Sequence, residues 1–209
     1  MGLGLRQGLP IGQGSRRGFT LLELMTVVTI IAVFAALAIP TAVSQLRDRR
    51  VQEAARRIGL VYREARLRAL GRGSAVLVRF NAGDMTVHEA RVGAAVGGNA
   101  GCVDLPVSSC LNTNWSGVAT QRIVDGYRPP TSGELSDLTV AITDSADAAV
   151  PNLDICFTPM GRGFARRENT NGPFGALSDA FVATVSRPGT TRTRQVVLMP
   201  NGTARLFTE

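Results

Sequence analysis

From Phe19 to Ile39 the chain is apolar almost without a break, reading F-T-L-L-E-L-M-T-V-V-T-I-I-A-V-F-A-A-L-A-I. As a helix rising 1.5 Å per residue, this stretch spans about 31 Å, the depth of a bilayer's hydrocarbon core. Past Pro40 the apolar residues thin to a helical spacing. Val43, Leu46, Val51, Ala54, Ala55, Ile58, Tyr62, Ala65 and Ala69 recur mostly at intervals of three and four, with arginines filling the other faces. The pattern predicts one helix over about residues 19–70, roughly 78 Å long, its first half transmembrane and its second half amphipathic. Pro40 removes a backbone donor and crowds the preceding turn, which predicts a kink there. Gly71-Arg72-Gly73 then offers a left-handed cap.

Beyond Gly73 the period shortens. Runs rich in β-branched and aromatic residues at 75–80, 86–90, 121–124, 138–142, 153–157, 180–185, 195–199 and 204–207 read as strands. Residues 81–84 and Pro200-Asn201-Gly202 are turn signals, and the second implies a C-terminal hairpin. The stretch 92–117 is rich in Gly, Ala and Asn, holds Cys102, Cys110 and Trp115, and reads as an exposed loop. A long helix followed by many short strands predicts an α+β fold, the helix packed on an antiparallel sheet or on two small sheets. The organisation is a basic prefix (1–18), a transmembrane helix (19–39), its amphipathic continuation (40–72) and a β-rich globular domain (73–209).

Of 209 residues 44% are hydrophobic, enough for one modest domain besides the span. All 23 basic residues are arginine, and the net charge is +7. Three of them, Arg6, Arg16 and Arg17, precede the span; +7 less these three leaves +4, which weighs against nucleic-acid binding. The dense arginines of the second half of the helix invite a DNA or lipid reading, but read more simply as a solvated face partly countered by Glu53 and Glu64, or as a polar surface between neighbouring copies. Cys102 and Cys110 are close enough in sequence to form a disulfide in an oxidising compartment. Cys156 lies in an apolar run and reads as a buried thiol. One histidine, His88, and the lack of a CxxC pair exclude the usual zinc patterns, and no cofactor is expected. No Gly-x-Ser-x-Gly, P-loop or paired-histidine signature points to an enzyme.

Glu23 is out of place. A lone carboxylate within a membrane span costs a few kcal/mol unless paired, so Glu23 is either a functional residue or one tolerated near the headgroups, and physics alone favours neither. Gly18-Phe19-Thr20-Leu21-Leu22-Glu23, preceded by Arg16 and Arg17, resembles the prepilin signal of type IV pilins and type II secretion pseudopilins. The resemblance implies cleavage after Gly18 by a prepilin peptidase/N-methyltransferase, methylation of the new N-terminus at Phe19, and pairing of that amine with Glu23 of a neighbouring subunit. Residues 1–18 would then be a prepilin leader. By the positive-inside rule Arg16 and Arg17 hold that end in the cytoplasm, giving a single-pass inner-membrane protein with a periplasmic domain. A rival reading takes Ala36-Leu37-Ala38 as a secretory cleavage site, although such signals have a shorter, uncharged apolar core.

Residues 157–161 (Phe157-Thr158-Pro159-Met160-Gly161) and Met199-Pro200-Asn201-Gly202 resemble the GspH/FimT family of minor pilins and pseudopilins. That family implies partnership with other pilins and an inner-membrane assembly platform. Type IV pilins commonly carry a proline at the position matched by Pro40, and many carry a glycine where this chain has Ala32. Some relatives of FimT bind DNA through C-terminal arginines; Arg162, Arg166, Arg167, Arg192 and Arg194 are the residues available for that here. Three functions are therefore expected in descending order: a minor pilin priming a type IV pilus near its tip, a minor pseudopilin of type II secretion, and a DNA-uptake receptor.

Overall fold

The computed structural model describes residues 18–92, 105–117, 119–129, 137–167, 172–188 and 193–208. By its internal contacts the chain divides into two units, Met1–Val43 and Ser44–Glu209. A single helix, α1, is assigned from Leu21 to Arg72 and continues through Pro40. In the first unit every large apolar side chain from Phe19 to Ile39 is exposed, and the helix is long and apolar enough to cross a membrane.

The second unit is built on the rest of α1. Its apolar stripe, Val51, Ala54, Ala55, Ile58, Val61, Tyr62, Ala65 and Ala69, is buried in one large core. Alanine at half of these places lets the helix backbone come close to the strands it covers. Gly73 ends the helix at φ +68°, and its N–H donates to Ala69 O at 3.1 Å, the left-handed closure that a glycine adopts without a Cβ penalty.

Among the described residues ten strands follow: β1 (Val76–Asn81), β2 (Asp84–Ala90), β3 (Gln121–Tyr127), β4 (Thr139–Thr143), β5 (Asn152–Phe157), β6 (Gly163–Arg166), β7 (Gly175–Ala176), β8 (Phe181–Ser186), β9 (Arg194–Leu198) and β10 (Ala204–Thr208). They form two antiparallel sheets, one ordered β3-β2-β1-β5-β6-β7 and the other β10-β9-β8-β4. The β9–β10 hairpin is the one expected from Pro200-Asn201-Gly202. Gly202 has φ +75°, and a Cβ there would stand 3.0 Å from the Phe157 ring, so glycine is required on both counts.

Period-two alternation sorts the strands' side chains. Val76, Val78 and Phe80 of β1, Leu153, Ile155 and Phe157 of β5, and Phe181, Ala183 and Val185 of β8 join the helix in the main core. Leu77 and Cys156 point the other way and join a second cluster with Ala75, Ala90, Cys110 and Trp115. This cluster corrects two expectations. Residues 105–117 are not simply an exposed loop: Cys110 and Trp115 are 1% and 2% exposed. The disulfide joins Cys110 to Cys156, not to Cys102, with the Cα atoms 6.0 Å apart. Closeness in sequence misled here, because β5 turns Cys156 toward the face that the loop crosses. Cys102 lies outside the described residues.

Ion pairs, two of them centred on the buried carboxylates Glu89 and Asp154, tie the elements together. Glu89 on β2 accepts from Arg68 (2.9 Å) and Arg72 (3.0 Å) of α1, from Arg122 (3.2 Å) of β3 and from the Ser74 hydroxyl (3.2 Å). Asp154, fully buried on β5, accepts from Arg79 at 3.0 Å and from Arg166 at 2.8 Å. Arg57 pairs with Asp125 of β3 at 3.2 Å. The helix arginines Arg57, Arg68 and Arg72 are thus countered by strand carboxylates rather than by Glu53 and Glu64.

Candidate functional site

The N-terminal segment is built by helix-start chemistry. Gly18, Phe19 and Thr20 are non-helical, and Leu21 opens the helix. The Thr20 hydroxyl accepts the Glu23 N–H at 3.2 Å while Thr20 O accepts the Leu24 N–H at 3.2 Å, which makes Thr20 the N-cap. Glu23 falls in the first turn, where a negative charge suits the helix dipole. The Thr-x-x-Glu spacing is that of a capping box, a helix-start signal carried by the sequence itself.

Polar groups deeper in the apolar run are satisfied within the helix. The Thr26 hydroxyl donates to Glu23 O at 2.9 Å and the Thr29 hydroxyl to Thr26 O at 2.8 Å. Such back-bonding lets threonine sit in an apolar helix without an orphaned hydroxyl. The Glu23 carboxylate is different: none of the ion pairs among the described residues reaches it. Phe19 is 80% exposed, and a Cβ on Gly18 would meet nothing within 4 Å, so the bond between them is open to an approaching enzyme. The segment can therefore offer a peptide bond open to cleavage, a new amine at Phe19, and an acid one helical turn away that has no ion-pair partner among the described residues.

Among the described residues, the arginines considered for nucleic acid do not gather into a free basic patch. Arg166 is spent on Asp154, with its guanidinium 4.4 Å from the centre of the Phe174 ring. Arg167 pairs with Asp144 at 2.8 Å. Arg194 is buried and donates to Thr193 O. Arg162 is exposed, and Arg192 lies outside the described residues. His88 bonds the Thr86 hydroxyl at 2.8 Å; burial and the nearby Arg79 guanidinium push its pKa down to about 4. Backbone N–H groups of Ala148 and Ala146 hold the Asp144 carboxyl below its usual range, with Arg167 adding to the effect. Among the described residues no group of three His, Cys, Asp or Glu could hold a metal ion.

Residues 14–39 match the family model described as the prokaryotic N-terminal methylation motif. No curated protein matches the chain. Two crystal structures of the type IV minor pilin FimU of Pseudomonas aeruginosa resemble it at 15% identity. One covers 78% of this chain and 90% of its own with a TM-score of 0.40; the other covers 76% and 91% with 0.37. Both likenesses are too distant to bear on function. The motif is the finding that matters, since it spans the glycine, the aromatic residue, the acid and the apolar run just described. The chain thus carries the prokaryotic N-terminal methylation motif at the head of its long apolar helix.

Proposed function

We propose that this chain is a minor pilin: an inner-membrane precursor cut after Gly18, N-methylated at Phe19, and inserted into a type IV pilus to prime its assembly near the tip. One observation carries the reading, namely the single carboxylate, Glu23, at the head of an exposed apolar helix and without a partner among the described residues. Cleavage on the cytoplasmic side leaves the apolar helix attached, so it becomes an anchor instead of being discarded. The new Phe19 amine supplies the positive charge that Glu23 of an adjoining subunit lacks. Pairing them offsets the several kcal/mol that each charge costs alone in an apolar setting.

The Cys110–Cys156 disulfide supports a domain that folds in an oxidising compartment, which agrees with a periplasmic C-terminal unit. Its position in mid-chain, away from the C-terminal loop often closed by a disulfide in major pilins, favours a minor subunit. With Arg166, Arg167 and Arg194 engaged internally, little cationic surface is left at that site for a phosphate backbone, which lowers the case for a DNA receptor.

Deleting the gene and restoring it on a plasmid tests the proposal. Loss of surface pili and of twitching, regained on complementation, is the expected result. Intact pili with loss of exoprotein secretion would instead make the chain a pseudopilin of type II secretion.

A further inference from the structure

On the face of the larger sheet turned away from α1 there is a cavity of about 540 Å³, a volume within the range of small-ligand sites. One wall is the loop that carries Asn112, Thr113, Asn114 and Ser116; the other holds Arg166 of β6 and Phe174, just before β7. No carboxylate is among the described residues that line it. Behind Arg166 lies a buried charge cluster with one cation too many. Asp154, fully buried, is shared by Arg79 and Arg166, whose side chains are only 19% and 8% exposed. Two guanidiniums less one carboxylate leave a surplus of one positive charge. His88, beside them, does not change that balance, because it is neutral above about pH 4. A surplus cation held largely out of water is costly unless an anion meets it.

Arg166 keeps donors for such an anion. Its Nε and one Nη serve Asp154, and the other Nη reaches Gly172 O only at 3.4 Å, while a guanidinium has more N–H groups than these. The opposite wall is amide-rich. The Asn112 side chain makes no hydrogen bond with any described residue, and Asn114 spends only its Oδ1, on the Ser116 N–H at 3.0 Å. The loop bearing them is fastened in place. The Cys110–Cys156 disulfide ties it to β5, the Trp115 indole donates to Cys110 O at 3.0 Å, and the Gln121 amide of β3 donates to Trp115 O at 2.7 Å. A wall ordered in advance loses little entropy when a ligand binds.

We propose that this cavity binds an acidic saccharide, a sugar unit bearing one carboxylate, with the carboxylate toward Arg166 and the hydroxyls on the amides of Asn112 and Asn114. One enclosed surplus charge suits a single carboxylate, which a guanidinium binds by charge-assisted hydrogen bonds, whereas a phosphate backbone rewards a row of cations. Amides both donate and accept, as sugar hydroxyls do; a simple organic acid would leave them unmatched. The half-buried Phe174 ring adds apolar surface for the C–H side of a sugar. Every residue invoked belongs to the second unit, so the proposal stands apart from the pilin reading.

Ligand-observed NMR titrations of the full chain in detergent micelles test this, with digalacturonate and sialyllactose as probes beside their neutral counterparts galactobiose and lactose. Acetate and a short oligothymidylate serve as anions without the sugar chemistry. At least one acidic sugar should bind with a Kd of about 1 mM or tighter, and its neutral counterpart about tenfold more weakly or worse. Asn112→Asp adds a negative charge at the cavity wall with almost no change of shape; it should weaken the acidic sugar about tenfold and leave the melting temperature unchanged, since Asn112 is exposed and without a hydrogen bond from its side chain to any described residue. Failure of both acidic sugars to bind, equal binding of the neutral sugars, acetate or oligothymidylate binding as tightly, or indifference to Asn112→Asp would each overturn the proposal. None of these results bears on whether the chain is a pilin.

Discussion

Replacing Glu89 with glutamine removes the carboxylate on which Arg68, Arg72, Arg122 and Ser74 converge, while keeping the side chain's shape. Burial alone would raise the Glu89 carboxyl; hydrogen bonds from Arg72, Arg68 and Arg122 outweigh it and carry the pKa from 4.5 down to about 2. At 1.36 kcal/mol per unit, that shift corresponds to about 3 kcal/mol of stability at pH 7. The three arginines are 37%, 53% and 32% exposed, so water can take them up once Glu89 is neutral, and the larger cost of stranding a buried cation does not arise. The unfolded chain binds a proton near 4.5 and the folded one only near 2. The contribution is therefore complete above the unfolded value and drains away as pH falls toward the folded one, with more than half of it gone by pH 3. Urea titrations of a fragment spanning residues 44–209, wild type against Glu89→Gln, should differ by about 3 kcal/mol at pH 7 and by only about 1 at pH 3. A gap below about 0.5 kcal/mol at pH 7, or the same gap at both pH values, would refute the reasoning.

Other consequences are equally open to measurement. Changing Cys110 and Cys156 to serine should cost about 2–4 kcal/mol, given the 46-residue separation of the pair, and non-reducing peptide mapping of the wild type should find these two linked and Cys102 free; a Cys102–Cys110 peptide would contradict the structure. NMR of the His88 imidazole should show it neutral down to about pH 4. Because the unfolded histidine protonates near 6.5, its contribution to stability is present above that value and falls as pH drops from 6.5 to about 4; a midpoint near 6.5 in the folded protein would remove the claim. Glu23→Ala should leave cleavage after Gly18 intact yet reduce incorporation into filaments at least tenfold, as judged by immunoblots of sheared pili; undiminished incorporation would show that the acid is not paired during assembly.

Much of this architecture was legible in the residues. The alternation of Val76, Val78 and Phe80 against Leu77 announces a strand with a face toward the helix, and Gly73 and Gly202 mark a helix end and a hairpin that the backbone then adopts. What escaped was non-local. The strands β6 and β7 are short, with glycine at Gly163 and Gly175, and are defined by pairing with β5 and with each other rather than by composition. The second cluster depends on residues 105–117 crossing the outer face of the larger sheet, which a Gly- and Asn-rich composition does not announce. The partner of both Arg68 and Arg72 is Glu89 on β2, 21 and 17 residues on and in a different element, so helix spacing pointed to Glu53 and Glu64 and missed it. At the N-terminus, by contrast, Gly18, Phe19, Thr20 and Glu23 are consecutive or one turn apart, and the local sequence carried nearly all the information.

Intact-mass and N-terminal peptide spectrometry of the mature protein, purified from its own membranes, tests the central claim most directly. The expected chain begins at Phe19, carries a methyl group on that amine, and retains the apolar helix through Ile39. A chain that begins at Ile39, or one that keeps residues 1–18 while assembled, would contradict it.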